Sequence, residues 1–213
     1  MSYDELDKIG QRYGTDKSSL INNYLFFYHR YFSGLRGKSD LRLLEIGVHE
    51  GASLKMWEEY FPHAEIIVGM DVNPLAKCFE GGRIVVELGD QSDPERLAFI
   101  GHQHGPFDIV LDDGSHIWDH QVTSLRNLFE YVKPGGFYVL EDLATSFGGY
   151  VAAYRGVTGI APPVSYVTQL ATYVTGGEHC SYSNEQDTFL RLAASQITSV
   201  CFHRFTAIIE RKA

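Results

Sequence analysis

The chain has 213 residues, a length that suits one globular domain. Hydrophobic residues make up 44% and charged residues 21%, a balance that argues against a disordered chain, a collagen or a coiled coil. The formal net charge is −9, so the chain would be repelled by nucleic acid or anionic lipid. This charge is more typical of a small-molecule enzyme or a cation-binding protein.

Short apolar runs alternate with amphipathic stretches through the middle of the chain. Predicted strands cover residues 41–48, 65–72, 83–88, 107–111 and 137–140, and predicted helices cover residues 52–61, 94–103 and 117–132. Asp93 is placed to cap the second of these helices. The alternation of strand and helix predicts right-handed crossovers and a parallel sheet that is covered on both faces.

Three further segments flank this pattern. Residues 1–40 look helical, and we expect their aromatic run (Tyr24, Phe26, Phe27, Tyr28, Tyr31 and Phe32) to pack in the core. Residues 144–185 are rich in Gly, Ser, Thr, Tyr and Pro and follow a strand end, where open α/β sheets bind ligands, so they predict a substrate loop or lid. Two alternating runs, 197–203 and 205–211, predict an antiparallel hairpin at the sheet edge.

We therefore predict an α/β fold: a Rossmann-like, doubly wound, mostly parallel sheet of seven strands with a C-terminal antiparallel hairpin. Residues 1–213 would form a single domain. It would consist of an N-terminal helical cap (1–40), a core (41–143), the substrate loop or lid (144–185) and the hairpin region (186–213).

The cysteines bear on the cellular compartment. Cys78, Cys180 and Cys201 are widely spaced, with no CxxC pair and no zinc-type spacing, so we expect free, mostly buried thiols in a reducing environment. The first residues lack the basic and apolar regions of a signal peptide, and no apolar run approaches the ~20 residues of a membrane span. These features predict a cytoplasmic, soluble protein.

The loop after the first predicted strand, residues 45–51, has glycines that let the backbone approach a ligand. His49 stands where a dinucleotide fingerprint needs its second glycine, and Glu45 and Glu50 offer a pyrophosphate no favourable charge. The structural alternative is a tight turn from strand to helix.

Polar residues also follow the second and third predicted strands. Asp71 could accept both hydroxyls of a ribose, and an Asx-type turn before Pro74 is the alternative. Asp90 and Gln91 suit the edge of an adenine ring, although a simple approach to the next helix explains them at least as well.

The ends of the fourth and fifth predicted strands carry four carboxylates, on Asp112, Asp113, Glu141 and Asp142. If these strands are neighbours, the unpaired carboxylates would repel and raise one another's pKa, and a bound divalent cation would remove that problem. Oxygen ligands without cysteine favour Mg²⁺, with Mn²⁺ or Ca²⁺ as alternatives.

His116 lies three residues after Asp113 and is a candidate base. His120 is four residues further on and would share its helix face, which is the spacing of half a zinc site. The HExxH context is absent, so this alternative is the weaker one.

Together these motifs resemble class I S-adenosylmethionine-dependent methyltransferases. The segments 13–17 (YGTDK), 43–47 (LLEIG), 89–93 (GDQSD), 107–116 (FDIVLDDGSH) and 141–142 (ED) are similar to the metal-dependent sugar O-methyltransferases of macrolide biosynthesis, the mycinamicin type. They also resemble the mycobacterial methyltransferases of methylmannose polysaccharide synthesis.

The resemblance implies a role for each matching residue. His116 would be the general base, and Asp113, Glu141 and Asp142 would bind Mg²⁺. The cofactor, S-adenosylmethionine, would be held by Tyr13, Thr15, Lys17, Glu45, Gly47, Ser53, Asp71, Asp90, Gln91 and Asp112. The chain departs from the family at His49, where small residues are common.

The implied reaction is methyl transfer to a hydroxyl of a sugar or glycoside, with a small-molecule or oligosaccharide acceptor and no nucleic acid or membrane partner. We expect a homodimer. Three alternatives stay open: a catechol-type O-methyltransferase acting on an aromatic diol, a nucleotide-binding oxidoreductase, and a non-catalytic ligand-binding module on the same fold.

Overall fold

The computed structural model describes residues 2–177 and 187–213, and it divides into two compact units, residues 1–90 and 91–213. Its strands form one seven-stranded sheet in the order β3-β2-β1-β4-β5-β7-β6. Neighbouring strands β1, β2 and β3 are parallel, as are β4 and β5, whereas β7 is antiparallel to both β5 and β6. The predicted Rossmann-like sheet with its C-terminal hairpin is thus confirmed.

The first unit contains the N-terminal helices and three strands. Its elements are α1 Tyr3–Tyr13, α2 Leu25–Phe32, β1 Arg42–Ile46, α3 Ala52–Tyr60, β2 Ile66–Asp71 and β3 Ile84–Leu88. Tyr24, Tyr28 and Phe32 are fully buried, and the last two pack their rings against Trp57 of α3. This confirms that these members of the aromatic run belong to the core.

The second unit contains the remaining elements. They are α4 Pro94–His104, β4 Phe107–Asp112, α5 Trp118–Leu128, β5 Val132–Leu140, α6 Val151–Tyr154, α7 Pro163–Gly176, α8 Thr188–Ala194, β6 Ile197–His203 and β7 Thr206–Arg211. The Asp93 carboxylate accepts hydrogen bonds from the backbone N–H groups of Glu95 and Arg96, at 2.9 and 3.3 Å, so the predicted helix cap is confirmed.

The boundary between α5 and β5 differs from the prediction. The helix ends at Leu128 rather than 132, and the strand begins at Val132 rather than 137. The pairing with β4 shifts between Phe107 and Ile109, so the extra residues of β5, Pro134 among them, form an irregular stretch. A strand tolerates proline, which lacks an N–H donor, at such an irregularity.

Much of the predicted substrate loop is helical. After β5 the chain makes 3-10 turns at Leu143–Ser146 and Gly148–Tyr150 and then forms α6 and α7, while residues 178–186 lie outside the described residues. Tyr166, Val167, Leu170 and Tyr173 are buried along α7. Their spacing of three to four residues is that of a buried helix face, a signal obscured by the surrounding Gly, Ser and Thr.

The thiols are more accessible than predicted. Cys78 is exposed because it lies in the surface turn Pro74–Phe79, Cys201 of β6 is half-buried, and both are free. Cys180 lies outside the described residues. None of the helices in the described ranges has both the length and the apolar character that crossing a bilayer requires.

Candidate metal and cofactor sites

The polar residues after β4 and β5 lie at adjacent strand ends. Asp112 pairs with Leu140 in the parallel register of these two strands, so Asp113 and Glu141 follow the ends of neighbouring strands. The backbone N–H of Glu141 continues the pairing by donating to the carbonyl of Asp112 at 2.9 Å. The carboxyl ends of parallel strands are the usual ligand-binding edge of an α/β sheet.

Three side chains meet at this edge. Asp113, His116 and Asp142 each offer one atom that could bind a metal ion, and these three atoms all lie within 4.8 Å of one another. His116 Nε2 is 3.4 Å from an Asp142 carboxylate oxygen and 4.0 Å from one of Asp113. All three side chains are partly buried, with exposed fractions of 17% for Asp113, 19% for His116 and 33% for Asp142.

The backbone of this group is unusual. His116 and Asp142 adopt left-handed conformations, with φ of 57° and 56°, which cost energy for residues other than glycine. Such residues cluster at functional sites, where the surrounding structure holds them in place. In addition, His116 Nδ1 is buried and has no hydrogen-bond partner within residues 2–177 and 187–213, although buried polar atoms are normally bonded.

The group fits a hard divalent cation. Its two converging carboxylates supply oxygen ligands of the kind that Mg²⁺ prefers, and the imidazole lies beside them. Glu141, the third predicted ligand, is fully buried and lies outside this group, so its role as a ligand stays a prediction. His120 also lies outside the group. Its Nδ1 is hydrogen-bonded to Ser115 Oγ at 2.8 Å, so the described residues do not support a His116–His120 zinc pair.

Asp112 and Gln91 are hydrogen-bonded to each other. Gln91 Nε2 donates to the Asp112 carboxylate at 2.6 Å, and Gln91 Oε1 accepts from the backbone N–H and hydroxyl of Ser115, at 2.9 and 3.2 Å. Asp112 is completely buried, and this burial raises the pKa of its carboxyl group to about 7. The Gln91 amide therefore braces the loop that carries Asp113 and His116, and it keeps one N–H for the predicted adenine edge.

Replacing Gln91 by leucine is expected to lower the free energy of unfolding by about 3 kcal/mol, because buried Asp112 and the Ser115 N–H would each lose a partner. Urea denaturation measures this change. The matched control is Gln103→Leu at an exposed position of α4, which should stay within about 0.5 kcal/mol of the wild type. Equal stability of the two variants would contradict the bracing role.

In the first unit, β1 carries a buried carboxylate. Glu45 is fully buried, with Oε2 accepting from the Trp57 indole N–H at 3.0 Å and Oε1 3.5 Å from the Lys17 ammonium, which is itself 99% buried. Buried charges of this kind need partners, and Lys17 and Glu45 lie close enough to serve as an ion pair. The two residues come from separate predicted cofactor motifs, and the structure brings them together.

Asp71 organises the loop after β1. One of its carboxylate oxygens accepts from the backbone N–H groups of Val48 and His49, at 2.8 and 3.0 Å, and the other accepts from Asn73 N at 2.8 Å. The bond to Asn73 is the Asx-type turn that the sequence offered as an alternative. His49 has a φ of 47°, a left-handed conformation that glycine adopts without strain.

The other predicted cofactor residues lie in several environments of the first unit. Tyr13 is 36% exposed and donates its hydroxyl to Glu59 at 3.0 Å, Thr15 and Ser53 are buried, and Asp90 is exposed. Gly47, directly after β1, has a φ of 92°.

The sequence analysis missed one contact in the second unit. The carboxylate of Asp119 accepts from the N–H groups of Val157 and Thr158, at 2.9 and 3.0 Å, and from the Thr158 hydroxyl at 2.6 Å. Burial opposes ionisation, but these bonds outweigh it and lower the pKa of Asp119. These hydrogen bonds hold residues 157 and 158 in place, shortly after Tyr154 in the chain. The ring centroid of Tyr154 lies 6.5 Å from that of His116.

Comparison with known proteins shows which proteins this chain is similar to in sequence. No protein-family model matches the sequence. It is 41% identical over 150 residues to demethylmacrocin O-methyltransferase of Streptomyces fradiae, which covers 67% of this chain and 37% of that protein. It is 34% identical over 215 residues to the 8-demethyl-8-(2-methoxy-alpha-L-rhamnosyl)-tetracenomycin-C 3'-O-methyltransferase of Streptomyces olivaceus. That alignment covers 97% of this chain and 54% of the relative. The chain therefore spans about half, or less, of the length of these curated relatives.

The fold is also similar to that of a methyltransferase whose structure has been solved. The MycE methyltransferase from the mycinamycin biosynthetic pathway, in complex with Mg, SAH and mycinamycin VI, matches this chain with a TM-score of 0.83 at 30% identity. The match covers 97% of this chain and 54% of MycE. The similarity thus includes both units of the chain.

Proposed function

We propose that this chain, a homologue of the sugar O-methyltransferases with the class I methyltransferase fold, transfers a methyl group from S-adenosylmethionine to a hydroxyl of a sugar or glycoside. The observation that carries the proposal is the convergence of Asp113, His116 and Asp142 at the ends of β4 and β5. It is supported by similarity over 97% of the chain to a methyltransferase structure that contains Mg and SAH.

Asp113 and Asp142 would hold Mg²⁺, with Glu141 as the further proposed ligand and Mn²⁺ or Ca²⁺ as alternative ions. When bound, the cation would favour the ionised form of an acceptor hydroxyl, which is otherwise a weak nucleophile. The two carboxylates lie close enough to act together, and their partial burial limits screening by water.

His116 would accept the proton of the acceptor hydroxyl. Imidazole groups can take a proton near neutral pH, and the ring is held in place by its neighbours. Its Nε2 lies 3.4 Å from Asp142, and Tyr154 lies beside the ring. Tyr154 and Tyr150, which is 58% exposed, remain candidates to stack on a sugar face, whereas buried Tyr166 and Tyr173 belong to the core of the second unit.

Most of the proposed cofactor residues belong to the first unit, whereas Gln91 and Asp112 belong to the second. The carboxylates of Glu45 and Asp71 suit the amino and ribose hydroxyl groups of an adenosylated methionine, and the loop after β1 is braced by Asp71. Tyr13, Thr15, Lys17, Gly47, Ser53, Asp90, Gln91 and Asp112 are the further proposed cofactor residues. A single domain of residues 1–213, a homodimer and a cytoplasmic location stay predictions.

A methyl-transfer assay tests this function. The protein is incubated with labelled S-adenosylmethionine and Mg²⁺ against sugars, glycosides and catechol, and methylated product is identified by mass spectrometry. Methylation of a sugar hydroxyl is expected. Methylation of catechol alone would favour the aromatic-diol alternative. Binding of NAD(H) in preference to S-adenosylmethionine would favour an oxidoreductase, which the interrupted glycine fingerprint at His49 already argues against.

A further inference from the structure

The chain between residues 145 and 158 forms a loop whose two ends are bound to neighbouring residues of α5. At one end, the Trp118 indole N–H donates to the carbonyl of Thr145 at 3.3 Å. At the other end, the Asp119 carboxylate accepts from the N–H groups of Val157 and Thr158. Trp118 and Asp119 are the first two residues of the helix. Compact surface loops whose ends lie close together are frequently functional.

This 145–158 loop is largely exposed to solvent. Across residues 147–160, a stretch that the structure describes in full, no residue is buried, and Val157 is 97% exposed. The helix within the loop, α6, has four residues, which is too short for a helix to persist without tertiary contacts. The position of α6 therefore depends on where the loop is anchored, and Asp119 is the anchor that lies nearer to it along the chain.

The backbone of Gly156 lies directly against the Asp119 carboxylate. A Cβ atom added to this glycine would collide with that carboxylate, and the φ of 67° is a left-handed conformation that favours glycine. Asp119 itself is buried. The loop thus encloses the carboxylate, and either a shorter side chain at position 119 or a larger one at position 156 would disturb the contact.

The anchored loop places an aromatic ring beside the candidate base. Tyr154, the last residue of α6, has its ring centroid 6.5 Å from that of His116 and 6.3 Å from that of Tyr150. His116 precedes α5 by two residues, so the same short stretch of chain, 116–119, carries both the imidazole and the anchors of the loop. Contacts to this stretch therefore determine where Tyr154 lies relative to His116.

We propose that Asp119 is a positioning residue, which keeps the 145–158 loop on α5 and so holds Tyr154 beside His116 to contact the acceptor. The contact with the acceptor rests on the proposed function, whereas the placement of Tyr154 can be measured without turnover. A ring on a released loop would meet the acceptor only in the fraction of molecules that have the bound arrangement. Loss of Asp119 should therefore weaken acceptor binding more than it slows methyl transfer.

The imidazole NMR signals of His116, assigned with His116→Ala, report the position of the Tyr154 ring, because aromatic ring currents shift nearby nuclei. At fixed pH and Mg²⁺ concentration, Tyr154→Leu defines where the signals lie without that ring. Asp119→Ala should move them towards this position. Asp119→Asn, which keeps an oxygen that can accept from the two N–H groups, should stay near the wild type. Unmoved signals in a folded Asp119→Ala protein would overturn the positioning role.

A substitution in the loop tests the same contact from the other side, and it decides the question if Asp119→Ala does not fold. Gly156→Ala should move the His116 signals towards those of Tyr154→Leu, since the added methyl group would displace the Asp119 carboxylate. Gly159→Ala is the matched control, because its φ of 74° is equally left-handed but a Cβ atom there would meet nothing within 4 Å. Equal shifts in the two alanine variants would assign the effect to backbone strain and overturn the proposal.

Steady-state kinetics test the role in acceptor binding, with whichever sugar acceptor the wild type methylates. Asp119→Ala should raise the KM for the acceptor by about tenfold, the value for a competent arrangement populated about one-tenth of the time, and lower kcat by less than about threefold. Glu95→Gln, which removes an exposed carboxylate from the first turn of α4, is the control and should leave both constants unchanged.

The outcomes separate this inference from the proposed function. An unchanged acceptor KM in Asp119→Ala, together with moved His116 signals, would overturn the role in acceptor binding and leave sugar methylation standing. If the wild type methylates no sugar, the proposed function fails and the acceptor role fails with it, while the NMR comparison still decides whether Asp119 positions Tyr154.

Discussion

His116→Ala should lower kcat by about 10²–10⁴-fold, the usual contribution of a positioned general base, while the dissociation constant of S-adenosylmethionine changes little. The imidazole lies in the candidate metal group of the second unit, whereas the proposed cofactor carboxylates Glu45 and Asp71 belong to the first unit. Steady-state kinetics and calorimetric titration of the cofactor measure the two quantities separately.

The matched control is His120→Ala. This histidine lies four residues later, outside the candidate metal group, and its ring is hydrogen-bonded to Ser115. We expect this variant to retain most of the wild-type turnover. If His116→Ala keeps full turnover, the base assignment is wrong. Equal losses in both variants would instead indicate that the two histidines act as a pair.

The second large effect concerns the metal. Asp142→Asn should raise the Mg²⁺ concentration needed for half-maximal activity by at least about tenfold, because the proposed site loses one of its charged oxygen ligands. Activity measured across a Mg²⁺ titration gives this value directly. Asp40→Asn, which neutralises an exposed carboxylate outside the site, is the control and should leave the titration unchanged.

Removal of metal from the wild-type protein provides the complementary test. Chelation should abolish turnover, and added Mg²⁺ should restore it. Undiminished activity after thorough chelation would contradict the metal role, and an Asp142→Asn titration that matches the wild type would remove this residue from the ligand set.

The sequence predicts those features that depend on local periodicity and on strand order. Alternating apolar runs indicate the strands. Because β4 and β5 are neighbours in the sheet, the residues after their ends, Asp113 and Asp142, meet as expected. The cap at Asp93 is likewise a local signal, since its partners are two and three residues away.

The contacts that the sequence could not predict join residues far apart in the chain. Gln91 bonds residues 21 and 24 positions away, and Asp119 clamps a segment 38 and 39 positions away, with no periodic pattern to reveal either. The early start of β5 was hidden by Pro134, which normally interrupts a strand. Such pairings depend on how packed elements are arranged in space.

The most direct measurement is a crystal structure of the protein grown with Mn²⁺ and S-adenosylhomocysteine, with anomalous scattering used to locate the metal. The account predicts an anomalous peak within bonding distance of the carboxylates of Asp113 and Asp142, with the cofactor product beside Glu45 and Asp71. A structure in which those two aspartates point apart, with the metal elsewhere or absent at saturating concentration, would contradict it.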